Sequence, residues 1–120
     1  MSLILAYQDR GLTKDLTILD GDGGVITPGT NDKVRIVIGR ASEIATDGDT
    51  VTGAKLTFTS GTPTANGSKI TKGAANRMRL DASDLKFDRG TYSLWFDYFD
   101  NADAREWKNI SRQVFQLEES

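Results

Sequence analysis

At 120 residues, with 38% hydrophobic and 27% charged side chains, the chain is long enough for one domain to bury a core without a metal or disulfide staple. It has no cysteine and no histidine, which excludes disulfides, thiolate catalysis and cysteine metal sites and removes the commonest general base and zinc ligand. A formal net charge of −2 with no basic half leaves no electrostatic field for nucleic acid.

The chain opens on Leu3-Ile4-Leu5-Ala6-Tyr7, with no charged side chain before Asp9. A secretory leader needs a basic start and a longer apolar run. No segment approaches the roughly 20 apolar residues that span a bilayer. The expectation is a chain made in the cytoplasm that does not insert into a membrane. Residues 1–11 read either as a first strand or as an N-terminal arm. Leu3, Ile4, Leu5 and Tyr7 are too many apolar side chains for a free arm, so they are candidate docking residues. If they form such an arm, deleting residues 2–8 should leave a folded domain that no longer assembles.

From there the period is two. Leu12, Lys14, Leu16 and Ile18 alternate with Thr13, Asp15 and Thr17, and Val34, Ile36 and Ile38 share a face. Leu56 with Phe58, and Met78 with Leu80, continue the pattern, as do Tyr92, Leu94, Phe96 and Tyr98 and then Phe115 with Leu117. One apolar and one polar face marks antiparallel strands over a single core. The predicted strands are 3–8, 12–19, 33–39, 53–59, 68–72, 76–81, 91–99 and 109–117. Turn chemistry separates them at Asp20-Gly21-Asp22-Gly23-Gly24, Pro28-Gly29, Asp47-Gly48-Asp49, Gly61-Thr62-Pro63 and Asn66-Gly67. Single helical turns are expected at 82–86 and 102–106. The fold class is all-β, an immunoglobulin-like antiparallel sandwich of seven to eight strands in one domain, 1–120.

The most informative stretch is Leu85-Lys86-Phe87-Asp88-Arg89-Gly90-Thr91-Tyr92-Ser93-Leu94. Gly90, Tyr92 and Leu94 have the spacing of a tyrosine corner. Gly90 would turn the chain, Tyr92 would pack inward with its hydroxyl on upstream backbone, and Leu94 would follow it into the core. Trp95 and Phe99 would then face outward, either covered by a loop or forming a binding patch. Trp107, near a turn, has the same two readings.

No catalytic, cofactor or metal site is expected. Asp20 and Asp22 open like a calcium loop, but Gly24 and Asn31 stand where ligands belong. Asp97, Asp100, Asp103 and Glu106 read as turn acids rather than a catalytic pair. Gly21, Gly23 and Gly24 are not followed by a phosphate-binding helix. Arg77 and Arg79 beside Asp81 read as a solvated ladder.

The order of these pieces carries a resemblance. Leu16–Ile18 with Val25-Ile26-Thr27 is followed by Lys33-Val34-Arg35-Ile36-Val37-Ile38-Gly39-Arg40, Leu56-Thr57-Phe58, Asn66-Gly67-Ser68-Lys69-Ile70-Thr71 and Gly90-Thr91-Tyr92. The end reads Tyr98-Phe99-Asp100-Asn101-Ala102-Asp103 and Val114-Phe115-Gln116-Leu117-Glu118. After residue 12 this resembles the immunoglobulin-like domains of tailed-phage virion proteins, including the N-terminal domain of baseplate upper proteins. The resemblance implies a non-enzymatic part of a virion, in the tail, baseplate, neck or head decoration. It also implies contacts with other virion proteins and a homo-oligomer. A second reading is an adhesion or glycan-binding sandwich that uses an exposed aromatic such as Trp95 or Trp107.

Overall fold

The computed structural model describes residues 3–102 and 106–119. In chain order the strands are β1 (Leu3–Tyr7), β2 (Leu12–Leu16), β3 (Ile18–Leu19), β4 (Val25–Ile26), β5 (Lys33–Gly39), β6 (Ala45–Asp47), β7 (Thr50–Thr52), β8 (Leu56–Thr59), β9 (Lys69–Thr71), β10 (Asn76–Leu80), β11 (Gly90–Phe99) and β12 (Trp107–Glu118). They form a five-stranded sheet, β1-β12-β11-β5-β8, and a three-stranded sheet, β2-β10-β9. The alternating apolar residues of both meet in one core. Ile36, Ile38, Leu94, Phe96 and Phe115 come from the larger sheet, and Leu16, Ile70, Met78 and Leu80 from the smaller. The result is an all-β sandwich.

Every pairing in the larger sheet is antiparallel except one. β1 runs parallel to β12, with Leu3 opposite Val114 and Tyr7 opposite Glu118. The first strand therefore belongs to its own domain. Ile4 and Ala6 are buried in the core while Leu3 and Leu5 alternate outward. This corrects two readings: Ile4 is a core residue, not a docking residue, and deleting residues 2–8 removes core side chains.

The expected strand 12–19 is two strands. The chain leaves the smaller sheet after Leu16, and Ile18–Leu19 pairs instead with Val25–Ile26 in a separate hairpin. Asp20 closes that hairpin, its Oδ1 accepting from the N–H groups of Asp22 and Gly24 at 2.8 Å each. The expected strand 53–59 begins only at Leu56. A second hairpin, β6–β7, precedes it and turns at Gly48. The helical turn expected at 82–86 is a short 3-10 turn, Ala82–Asp84, capped by Asp81. Part of the other, 102–106, lies outside the described residues. Among the described residues no helix is long and apolar enough to cross a membrane.

The Asp84 carboxylate ties two loops together. It accepts from Thr64 Oγ1 at 2.6 Å, from Asn66 Nδ2 at 2.9 Å, and from Ser68 Oγ. Burial works against its charge, but these donors outweigh burial and hold its carboxyl below the ordinary range.

Candidate functional site

The tyrosine corner is the best defined of the local structures singled out in the sequence. Gly90 has φ of +150°, a region that only glycine enters freely. Nothing lies within 4 Å of where its Cβ would stand, so backbone conformation rather than space selects glycine. Tyr92 is buried, and its hydroxyl donates to the Asp88 carbonyl four residues upstream. The Phe87 ring meets the Tyr92 ring edge-on with centroids 5.1 Å apart. Leu94 follows into the core. Tyr92→Phe leaves the Asp88 carbonyl without its donor. The expected loss is about 1–3 kcal/mol, measured by urea denaturation. A loss indistinguishable from zero would show that water replaces the hydroxyl.

The opposite, outward face of the larger sheet holds a charged centre that sequence reasoning missed. Arg35 and Asp97 are directly opposed across β5 and β11. Their side chains are only 3% and 5% exposed. Arg35 Nε and Nη2 donate to Asp97 Oδ2 at 3.1 and 2.8 Å, and Asn109 Nδ2 donates to Asp97 Oδ1 at 2.9 Å. Arg35 Nη1 donates to the Gly48 carbonyl at 2.9 Å. The guanidinium lies 4.1 Å from the centre of the Trp107 ring.

The segment between β5 and β8 covers this pair. It folds back over the sheet because Gly39 admits Ile44, Gly48 turns the β6–β7 hairpin, and Gly53 passes against the Glu43 carbonyl. Asp49 fastens the tip, accepting from Trp107 Nε1 at 2.8 Å and Lys33 Nζ at 3.3 Å. The Trp107 hydrogen bond, then Lys33, lowers the Asp49 pKa.

The aromatic candidates divide. Trp95 faces outward as expected but is 8% exposed, because the Arg112 guanidinium lies 4.1 Å over its ring. Trp95 is thus not an exposed patch: its own chain covers it. Phe99 and Trp107 are half-buried and pack on each other with centroids 5.5 Å apart, with Lys33 over the Phe99 ring. They border a cleft of about 590 Å³ that also takes in Asp49 and Glu106.

The candidate docking residues divide too. Leu3 is 60% and Leu5 44% exposed. Tyr7 is half-buried beneath Arg10. β1 ends the sheet, so its far backbone edge has no neighbouring strand among the described residues. Other edges are guarded. β2 carries Lys14 and Asp15, β9 is three residues long, and β8 lies against β9 of the other sheet. β1 has no charged residue.

Among the described residues, the acids of the expected turn cluster do not converge on a metal-holding group. Asp97 is committed to Arg35, Asp100 bonds the Ala102 N–H, and Asp103 lies outside the described residues. Asp32 does more than its sequence promised. It accepts from the N–H groups of Gly29 and Asn101 and from the Tyr98 hydroxyl. Those donors outweigh its partial burial and lower its pKa, while burial and the Asp32 charge push the Tyr98 hydroxyl up. On the Arg77 and Arg79 face, Arg77 pairs with Asp15 at 2.9 Å.

No protein-family model, curated protein or solved structure matches the chain.

Proposed function

We propose that this chain is a non-enzymatic structural module of a phage virion, an assembly or adaptor domain that works by protein–protein contact. The observation that carries this reading is the β1 edge: an unguarded, uncharged strand with Leu3 and Leu5 exposed beside an open backbone edge. Such an edge recruits a strand from another chain. The strand orders, with Tyr92 at the entry to β11, support an immunoglobulin-like sandwich of the kind the sequence resembles.

The test is incorporation into particles released from cells that carry the gene. The wild-type chain should co-purify with particles. The double variant Leu3→Glu, Leu5→Glu should fold with an unchanged melting temperature and fail to incorporate, because both side chains are exposed and a charged edge repels added strands. Incorporation of both proteins to the same extent removes β1 as the contact. Absence of the wild-type chain from particles removes the virion reading.

A second reading, glycan binding, is favoured by the cleft beside Trp107, where an aromatic ring adjoins the Asp49 and Glu106 carboxylates. Only Trp107 remains for it, since Trp95 is covered. A glycan-array signal that Trp107→Ala abolishes would establish it.

A further inference from the structure

Trp95 and Arg112 are cross-strand partners on β11 and β12, on the sheet's outward face. Trp95 is more than nine-tenths buried, yet its indole N–H has no acceptor among the described residues. A buried donor without an acceptor is rare and costly in a folded protein. The Arg112 guanidinium stacks over this ring and makes no ion pair with a carboxylate among the described residues.

The nearby acid serves neither group: Asp97 accepts from Arg35 and Asn109, and no ion pair among the described residues joins it to Arg112. Arg35 and Asp97 neutralise each other, so Arg112 leaves this corner with one net positive charge. These side chains, with Thr46 and Trp107, line a pocket of about 150 Å³, a volume comparable to cavities that hold benzene.

We infer that this pocket binds a carboxylate. One carboxylate oxygen accepts the Trp95 indole N–H, and the group pairs with the Arg112 guanidinium. The planar fork of an arginine matches a carboxylate, and a single negative charge matches the single unbalanced positive one. A cation would meet two guanidinium groups and the positive end of the indole N–H. A sugar ring would meet Arg112 where it needs a bare aromatic face. The carboxylate is either that of a small free acid or that of an acidic side chain on another chain.

The experiment uses ¹⁵N–¹H spectra of the full chain. Its two tryptophans give two indole signals, assigned with Trp107→Phe. Sodium acetate is titrated against sodium chloride at matched ionic strength. Acetate should move the Trp95 signal downfield and saturate, and chloride should not. The Trp107 signal should move far less, because Asp49 already accepts its proton and its ring only borders the pocket. Arg112→Gln loses its stacking on Trp95, so it should stay folded with a melting temperature lower by at most a few degrees, and bind acetate about tenfold more weakly or worse. Arg112→Lys should fall between them, since it keeps charge and loses the fork. A capped tripeptide with a central glutamate forms the second arm. Binding of both probes shows that the site accepts a side chain from another protein; binding of acetate alone assigns it to free acids. An unsaturable shift, an equal response in Arg112→Gln, or a bound water at the indole that acetate does not displace would overturn the inference.

Discussion

Asp97→Ala is expected to lower stability by about 3–5 kcal/mol, the cost of leaving a buried charge without its partner. Arg35 would stay under the β6–β7 hairpin with the Gly48 carbonyl, the Trp107 ring and the more distant Asp49 charge, none of which replaces the paired carboxylate. Arg35→Ala should cost a similar amount, because Asp97 would keep one donor, Asn109. The double variant Arg35→Met, Asp97→Leu should lose far less than the sum. The pair's attraction is largely offset by the cost of taking two ions out of water, and two apolar side chains avoid that cost. Urea denaturation of these proteins, with Arg35→Met and Asp97→Leu as the matching single variants, gives the coupling. A single-variant loss below about 1 kcal/mol would mean that the hairpin opens and water solvates the remaining charge.

The second large effect is expected at Gly53. Its φ is +78°, and a Cβ there would stand 1.9 Å from the Glu43 carbonyl oxygen, inside any tolerable contact. Gly53→Ala therefore carries both a left-handed backbone penalty and a collision with backbone that cannot step aside. The expected loss is at least about 2 kcal/mol. Gly48→Ala is the internal control. It also has positive φ, +58°, but nothing lies within 4 Å of its Cβ. It should lose only the conformational part, about 1–2 kcal/mol. Thermal melts followed by tryptophan fluorescence would read both, because displacing the hairpin takes Asp49 from Trp107. Equal losses at the two glycines would show that the 43–53 contact is not a closed one.

What could be read from the sequence was what burial imprints on one chain segment. Val34–Ile38 and Tyr92–Tyr98 alternate because one face of each strand meets the core, and Gly90-Thr91-Tyr92 is a local motif. The β6–β7 hairpin left little trace, because its strands are almost wholly exposed and so have no apolar period. The break between Leu16 and Ile18 was hidden for the opposite reason: both are buried, so the alternation continues while the chain changes sheets. The Arg35–Asp97 pair lies 62 residues apart in sequence. Charged residues on the outward side of a strand look solvated, and only the β5–β11 register and the hairpin above it turn these two into a buried pair. Trp95 was misleading in the same way, since its cover comes from Arg112 on the next strand.

The parallel pairing of β1 with β12 has a consequence for how the molecule is made. Leu3 meets Val114, so the contact closes a loop of nearly the whole chain, and long-range closures of this kind slow folding. On the ribosome β1 must wait for β12, which is synthesised after every other described strand of the domain. Until then Ile4 and Ala6 have no core to enter, and a chain that stops before β12 cannot seat them at all. In a polysome, where nascent copies stand side by side, the waiting β1 of one chain meets the finished β12 of another. Strand exchange between copies is thus a misassembly route that this topology leaves open during translation.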